Sequence, residues 1–269
     1  MQSIKIAFYG AGSMAEAIIS GIVKSNIINS NEILALNRSN KERLAYLQEQ
    51  YHIQVSQKIE HLQHADIIFL AMKPKDVEGA LSSLSPLLQE DTLLISVAAG
   101  ISCQSIEKFV SKQVPVIRSM PNTSATLSLS ATGIARGTHA KDKHVNIATK
   151  LLQTIGIVAE VKENDLHAIT GLSGSGPAYF YFIVEAMEKA AIELGLPKKL
   201  AHDFTIQTIL GSAMMLKETN KEAHVLRKEV TSPNGTTEAG IRTLENNQVD
   251  QAVAQCVKNA TKRSIELGN

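Results

Sequence analysis

The sequence has few of the residues that mark disulfide-rich or metal-binding proteins. It contains no tryptophan and only two cysteines, which lie far apart and lack the spacing of metal ligands. We therefore expect no metal site. We interpret Cys103 and Cys256 as small buried side chains in a protein of a reducing compartment.

An excess of one charge and long apolar runs are also absent. Lysine and arginine number 27 and aspartate and glutamate 26, so a broad basic face for nucleic acid is not expected. No apolar run approaches membrane-spanning length, and the strand-like N-terminus carries no signal-peptide pattern. The sequence predicts a cytoplasmic protein whose 269 residues suffice for one large domain or two modest ones.

The chain opens with a glycine-rich turn between two periodic segments. Residues 4–9 are a mostly apolar run of strand length, and residues 10–15 have the pattern G-x-G-x-x-A. Apolar side chains then recur every three or four residues, as in a helix. Strand, glycine turn and helix in this order are typical of dinucleotide binding, whereas a glycine turn alone is weak evidence because any tight βα connection can contain one.

The residues of this turn have distinct expected roles. Gly10 lets the backbone turn tightly, Gly12 has no Cβ to hold a pyrophosphate away, and Ala15 lets the helix pack close to the strand. The amides at the helix start, at Ser13 and Met14, face the pyrophosphate with the positive end of the helix dipole. These five residues are our predicted nucleotide site.

The first half of the chain alternates strand and helix patterns. Further strands are predicted at residues 33–36, 53–55, 67–72, 93–97 and 114–117, with helices at 41–51, 77–88 and 102–110. Two more strands, 132–136 and 158–161, flank a helix at 145–152. Repeated βαβ units predict an α/β fold with a Rossmann-type doubly wound parallel sheet, which binds ligands at the carboxyl ends of its strands.

From residue 165 onward the sequence shows only helical periods. We place helices at about 175–194, at about 198–216, from about 238, and through Val253, Val257 and Ala260. The sequence therefore predicts a Rossmann domain at 1–163 and a second, all-helical domain at 164–269.

The end of the second strand indicates which nicotinamide cofactor binds. NAD enzymes usually place an acidic residue there, but this chain has Asn37-Arg38-Ser39. Arg38 can bind a 2′-phosphate with two donors and Ser39 can donate a hydroxyl, so we predict NADP, with NADPH preferred and NADH possible. The alternative is that Arg38 is a solvated loop cation.

Small and polar residues follow the next three strands and trace one rim of the predicted sheet. Small side chains there let a nicotinamide ring approach the backbone. Alternatively Lys73 is an ordinary surface lysine and the alanines serve close packing. The residues predicted to line the cofactor along this rim are Ala71, Met72, Lys73, Pro74, Ala98, Ala99 and Asn122.

Two segments of the second domain are rich in glycine and hydroxyl side chains. Residues 171–179 join two predicted helices, and residues 230–237 lead directly into another. Backbone amides and hydroxyls at a helix start suit a small carboxylate. Alternatively Thr236 or Thr237 is only an ordinary helix cap.

Five motifs occur together in this chain. They are Gly10-x-Gly12-x-x-Ala15, Ala71-Met72-Lys73-Pro74, Met120-Pro121-Asn122-Thr123, Leu172-Ser173-Gly174-Ser175-Gly176-Pro177-Ala178-Tyr179 and Thr231-Ser232-Pro233-x-Gly235-Thr236-Thr237. With them the sequence resembles the delta-1-pyrroline-5-carboxylate reductases over essentially its whole length. The resemblance implies NADPH-dependent reduction of a cyclic imine, L-1-pyrroline-5-carboxylate, to L-proline, the last step of proline biosynthesis. It also implies homodimers or higher homo-oligomers built through the helical domain.

The resemblance also implies which residues hold the substrate. The carboxylate would be held by Ser232, Gly235, Thr236 and Thr237, and Thr237 would be the catalytic residue that donates toward the ring nitrogen. Glu163 is included among the expected substrate-binding residues. One departure is Asn234, which replaces a usual glycine; asparagine tolerates positive φ, so we expect the turn to persist.

Two other functions remain alternatives. A two-domain hydroxyacid dehydrogenase would need a catalytic lysine one helical turn after the glycines that open the second domain, where this chain has Phe180. A non-catalytic NADP-binding regulator would not need residues 232–237.

Residues 179–182 are four consecutive aromatics of the eleven in the chain. On a helix such a run points to every side, so the helix must be buried all round. We expect a partner subunit to cover it. The alternative is a central helix wrapped by its own neighbours.

Overall fold

The structure, a computed structural model, describes residues 4–110 and 112–268. Its strands form one sheet of eight in the order β3-β2-β1-β4-β5-β6-β7-β8. They are β1 (Ile6–Tyr9), β2 (Ile33–Leu36), β3 (Gln54–Ser56), β4 (Ile67–Leu70), β5 (Leu93–Ser96), β6 (Val116–Met120), β7 (Ser130–Arg136) and β8 (Gly156–Glu160). The first six are parallel in the Rossmann order, so the predicted fold class is confirmed.

The last two strands depart from a purely parallel sheet. β7 runs antiparallel to β6, and β8 runs parallel to β7. A parallel crossover needs a dozen or more residues, whereas only residues 121–129 join β6 to β7.

β6 begins at Val116, two residues later than predicted. Pro115, which has no N–H to donate to the sheet, comes just before it.

The helices of the first half overlap the predicted segments, but the helix predicted at 77–88 ends at Leu84 and continues only as a 3₁₀ turn, Ser85–Leu87, which contains Pro86. The helices are α1 (Ser13–Ser25), α2 (Lys41–Tyr51), α3 (Val77–Leu84), α4 (Cys103–Phe109) and α5 (Asp142–Gln153). The buried face of α1 includes Ala15, Ile18, Ile19 and Ile22, all fully shielded from solvent. Burying a side chain such as Ile18 stabilises the fold by roughly 1.5–3 kcal/mol, so α1 is firmly anchored on the sheet.

The helices of the second half are α6 (Asp165–Ile169), α7 (Gly176–Glu193), α8 (Lys198–Thr219), α9 (Ala223–Glu229), α10 (Thr236–Asn246) and α11 (Val249–Gly268). A π-helical turn, Thr170–Gly174, follows α6. The long helices were predicted, whereas α6 and α9 were not assigned from the sequence. No helix within the described ranges is long and apolar enough to span a membrane.

The described chain forms two compact units. The first contains the residues up to Ser175 and those from Lys258 on, and the second contains Gly176–Val257. The predicted domain boundary at 163/164 stays a prediction, since compactness alone does not say where a functional domain ends. The return of residues 258–268 to the first unit was not predicted.

The two cysteines differ in their surroundings. Cys103 is buried, as predicted, but Cys256 is exposed on α11, so the prediction that both are buried is wrong. Cys256 lies on the same side of α11 as Val253 and Ala260, three and four residues away. Val253 is itself 51% exposed, so this apolar side of the helix, with Cys256 on it, is open to solvent in the single chain.

Candidate active site

The glycine turn has the shape that a nucleotide requires. Gly10 has φ +113°, and a Cβ added there would lie 2.5 Å from the carbonyl oxygen of Ala71, so both conformation and space demand glycine. At Gly12 an added Cβ would meet no atom within 4 Å. The space that a Cβ would fill lies open before the first turn of α1, where a pyrophosphate fits.

The start of α1 offers its amides rather than a side-chain cap. Gly12 is the N-cap residue and α1 has no side-chain hydrogen bond at its cap. Ser13 is exposed, Met14 is half-buried, and Ala15 is completely buried. The buried Ala15 agrees with its predicted packing role, and the uncapped helix start suits an anionic ligand.

The loop after β2 is tightly organised around the Asn37 side chain. Its Oδ1 accepts hydrogen bonds from the backbone N–H of Ser39 at 3.1 Å and of Asn40 at 2.9 Å. The Arg38 side chain is exposed, and its cation opposes the rise that burial causes in the pKa of Tyr9. Arg38 therefore lies near the carboxyl end of β1, beside the glycine turn.

A cleft joins this loop to the glycine turn. Its walls come from the carboxyl ends of β1 and β2 and from the segment after β4, and the residues lining it are Tyr9, Gly10, Leu36, Asn37, Arg38, Ser39, Met72, Asp76 and Ala80. Four predicted cofactor residues besides Gly10 thus share one cleft, at the sheet edge where nucleotides bind in this fold.

The other rim residues differ in exposure. Ala71 and Met72 are half-buried, whereas Lys73 and Pro74 are exposed at the start of a short 3₁₀ turn, Pro74–Asp76. Ala98 is buried, with its N–H donating to the Ser96 hydroxyl, and Ala99 is exposed. Ala98 therefore packs closely in the core, and only Ala99 of the pair presents its side chain to solvent.

Asn122 is held in place by its own amide group. Its Oδ1 accepts from the N–H of Ser124 at 3.2 Å, and its Nδ2 donates to the carbonyl of Ser173 at 2.9 Å. The Asn122 backbone N–H donates to Ser130 Oγ at 3.1 Å. Asn122 thereby ties the segment after β6 to the π-helical turn Thr170–Gly174. These bonds explain the side chain's conformation; cofactor contact stays a prediction.

The half-buried Glu163 side chain meets the buried residues Cys103 and Arg118 in the first unit. Its Oε1 accepts from the backbone N–H of Cys103 at 2.7 Å and from Arg118 Nη1 at 3.2 Å. Burial, together with the negative charge of Glu163, raises the pKa of the Cys103 thiol to about 12, so this thiol is unreactive. Sequence reasoning missed Arg118, although a lone arginine in the apolar run of β6 was a signal.

In the second unit, residues 232–235 form a tight turn directly before α10. The Gly235 N–H donates to the Ser232 carbonyl at 3.1 Å, and a Cβ at Gly235 would lie 2.5 Å from Ser232 Oγ. Asn234 has φ +60°, which confirms that asparagine maintains the turn here. Thr236 and Thr237 are the first two residues of α10 and Gly235 is its N-cap, so the interpretation of either threonine as the cap is wrong.

The apolar surface of α7 is open to solvent in the single chain. Phe180 is 63% exposed, Tyr181 60% and Phe182 71%. The alternative of a central helix wrapped by its own neighbours is therefore wrong. Exposure of several large aromatics on one helix is typical of a surface that another subunit covers.

The chain matches known proteins along its whole length. A family model described as pyrroline-5-carboxylate reductase dimerisation matches residues 163–267, and one described as NADP oxidoreductase, coenzyme F420-dependent, matches residues 5–100. Pyrroline-5-carboxylate reductase 1 of Bacillus spizizenii is 47% identical over 266 residues, covering 98% of this chain and 90% of the relative. Pyrroline-5-carboxylate reductase 2 of Bacillus subtilis is 46% identical, covering 98% and 95%.

Solved structures agree. A pyrroline-5-carboxylate reductase from Coxiella burnetii is 35% identical, with a TM-score of 0.93 and complete coverage of both chains. The pyrroline carboxylate reductase of Plasmodium falciparum, solved with NADP bound, is 29% identical, with a TM-score of 0.89 and complete coverage of both chains.

Proposed function

This chain belongs to the pyrroline-5-carboxylate reductase family, and from that premise we propose how its residues divide the work of the reaction. The enzyme reduces L-1-pyrroline-5-carboxylate to L-proline with NAD(P)H, in proline biosynthesis. The observation that carries this conclusion is the 47% identity to a pyrroline-5-carboxylate reductase over 98% of the chain.

The cofactor is assigned to the glycine turn and the cleft beside it. Gly10 and Gly12 let the backbone approach the pyrophosphate, and the first-turn amides of α1 at Ser13, Met14 and Ala15 face its charge. When bound, NADPH supplies the hydride that reduces the C=N bond. The open space before α1 and the positive φ of Gly10 support this assignment.

Preference for NADPH is assigned to the loop after β2. Arg38 and Ser39 would bind the 2′-phosphate, and Asn37 shapes the loop by accepting the N–H of Ser39. The cleft also includes Asp76, after β4. The segments at Ala71–Pro74, Ala98–Ala99 and Asn122 are proposed to line the rest of the cofactor.

Substrate binding is assigned chiefly to the turn before α10. The amides and hydroxyls of Ser232, Gly235, Thr236 and Thr237 would hold the carboxylate, and the Thr237 hydroxyl would donate a hydrogen bond to the ring nitrogen. Such a bond favours hydride addition because negative charge develops on that nitrogen as the hydride arrives. Most of the rate enhancement would come from positioning the two reactants.

Glu163 would also contribute to substrate binding. In the structure its Oε1 is engaged by Cys103 and Arg118. These two hydrogen bonds would hold the Glu163 carboxylate in a defined orientation.

The domain assignment and the assembly follow from the family. We assign residues 1–163 to NADP binding and residues 164–269 to substrate binding and dimerisation. The dimerisation model, which begins at residue 163, supports this division. An obligate dimer, or a higher homo-oligomer, would cover the exposed aromatics of α7.

A spectrophotometric assay tests the proposal. The purified protein should oxidise NADPH on addition of pyrroline-5-carboxylate and produce proline in equal amount. NADPH binding without oxidation would instead identify a regulator, and reduction of NADP⁺ by a hydroxyacid would identify a dehydrogenase. Parallel titrations with NADH decide the cofactor preference.

A further inference from the structure

Behind the glycine turn lies a polar cluster that the nucleotide motif does not explain. Arg43, in the first turn of α2, donates from Nε to the carbonyl oxygen of Ala11 at 2.8 Å. Its Nη2 binds the carboxylate of Glu16 in the first turn of α1. Ala11 is the middle residue of the turn Gly10-Ala11-Gly12, so one guanidinium bridges α2, the turn and α1.

The carboxylate of Glu16 is itself held by several donors. The hydroxyls of Tyr51 and Tyr46 donate to its Oε1 at 3.0 and 3.1 Å. Partial burial acts to raise the pKa of Glu16, but the hydrogen bonds from Arg43, Tyr51 and Tyr46 outweigh it and hold that pKa below its usual range. Glu16 is therefore ionised at neutral pH and compensates the charge of Arg43.

The chain between Arg38 and Arg43 is tied together by short-range hydrogen bonds. Asn37 Oδ1 accepts from the N–H of Asn40 at 2.9 Å, and Asn40 Oδ1 caps α2 by accepting from the N–H of Arg43 at 2.8 Å. The loop after β2 and the glycine turn are thus both connected to the first turn of α2.

A cation at this place has two conceivable roles, as a phosphate ligand or as a brace for the turn. The Arg43 side chain is 24% exposed, and its Nε and Nη2 donors are directed at Ala11 and Glu16. With a carboxylate bound to it, the guanidinium adds little net attraction for a phosphate. Its hydrogen bond to the Ala11 carbonyl instead fixes the orientation of the neighbouring peptide groups.

We propose that Arg43 is a positioning residue for the cofactor pyrophosphate: by holding the Ala11 carbonyl and Glu16, it fixes the turn amides in the orientation that the pyrophosphate needs. This inference rests on the proposed function, because it takes residues 10–15 to be the pyrophosphate site. Since NADPH and NADH share that pyrophosphate, Arg43 acts on both cofactors alike, whereas Arg38 acts on NADPH.

The test compares full-length variants in equilibrium binding of NADPH and of NADH, followed by cofactor fluorescence, and in steady-state kinetics. Arg43→Gln should raise both Kd values by a similar factor of about tenfold or more, the effect of losing a charge-assisted hydrogen bond. The KM for the imine should stay near wild type. Arg43→Lys keeps the positive charge but lacks the several donors of a guanidinium, so its Kd values for both cofactors should lie between those of the wild type and of Arg43→Gln. Arg136→Gln is the matched control, because Arg136 bonds the carboxylates of Glu160 and Asp142 on the surface.

Each outcome decides the matter. A rise in the Kd of NADPH alone would make Arg43 a 2′-phosphate ligand and overturn the proposal, as would unchanged binding of both cofactors. If Arg43→Gln does not fold, Glu16→Gln decides: it should weaken both cofactors equally, and selective or absent weakening overturns the proposal. A wild-type protein that fails to bind either cofactor would contradict the proposed function instead, whatever the variants do.

Discussion

The backbone N–H of Asn234 donates a 2.9 Å hydrogen bond to Oε2 of Glu238, four residues later. Asn234 is the residue of this turn with positive φ, and Glu238 lies in the first turn of α10. The bond connects the strained residue to the helix that carries the proposed substrate threonines. Glu238 also pairs with Arg242 at 3.4 Å, which leaves its carboxylate fixed on both sides.

Removing this bond should loosen the turn that receives the substrate carboxylate. Glu238→Ala should raise the KM for the imine several-fold, since a hydrogen bond to a charged group contributes about 1.5–3 kcal/mol when fully formed and less at an exposed site. The KM for NADPH should not change. Glu238→Gln keeps an acceptor oxygen and serves as the control. If both variants raise the KM for the imine equally, the negative charge of Glu238, and not its hydrogen bond to Asn234, maintains the turn.

Arg38 should determine the cofactor preference. Arg38→Asp should remove the proposed charge-assisted contact with the 2′-phosphate, which would contribute about 1.5–3 kcal/mol, and should add repulsion against that phosphate. The KM for NADPH should rise far more than the KM for NADH, measured in parallel assays with saturating imine. For Arg38→Lys, which keeps the positive charge, the KM for NADPH should lie between the values for the wild type and for Arg38→Asp. If the ratio of the KM for NADPH to the KM for NADH does not change, Arg38 does not bind the 2′-phosphate.

The Thr237 hydroxyl should matter for the reaction rather than for folding. Thr237 is not the cap of α10, and even a cap hydroxyl contributes only ~1 kcal/mol. Thr237→Ala should therefore fold normally, while kcat/KM for the imine falls much more than NADPH binding does. Thr243→Ala, which removes a hydroxyl bonded to the Ala239 carbonyl in the same helix, is the control. Near-wild-type kinetics for Thr237→Ala would leave this threonine without a catalytic role.

The aromatic face of α7 should hold subunits together. Phe182→Glu places a charge on a side chain that is 71% exposed in the single chain and that we assign to the interface. Light scattering at micromolar concentration should show an oligomer for the wild type and its dissociation for the variant, with loss of activity. Ile27→Glu, a charge on a 46% exposed side chain of the first unit, should leave the oligomer intact. A stable, active wild-type monomer would contradict the assignment.

Much of the fold was predictable because the residues whose local pattern indicates a strand or a helix are also the residues that the core buries. The apolar runs of β1, β4 and β5 are buried on both faces, as strands in the centre of a parallel sheet are. The glycine turn was also predictable from the sequence. Only glycine fits at position 10, because the backbone there has positive φ and a Cβ would collide with the Ala71 carbonyl. The direction of β7 was missed because the predicted strands 114–117 and 132–136 left residues 118–131 between them, which is long enough for a parallel crossover, whereas the actual connection is only residues 121–129.

The contacts of charged side chains were harder to predict. Arg118 meets Glu163 across 45 residues, and Arg43 meets Ala11 across 32. Periodicity assigns such residues to a helix or a strand but not to a partner, because the pairing depends on how distant elements pack. For the same reason the exposure of Cys256 and the packing of residues 258–268 with the first unit were not predicted.

The sequence by itself determined the family, the order of the strands and of the longer helices, and the positions of the glycine and threonine turns, because these depend on short-range patterns of residue type. Only the tertiary structure decided which polar groups those turns use. It showed that Asn234 is held by Glu238 and that Gly235, not a threonine, caps α10. It also showed that Arg43 braces the glycine turn. Hydrogen bonds require an approach of about 3 Å in a defined direction, and that geometry exists only once the elements have packed.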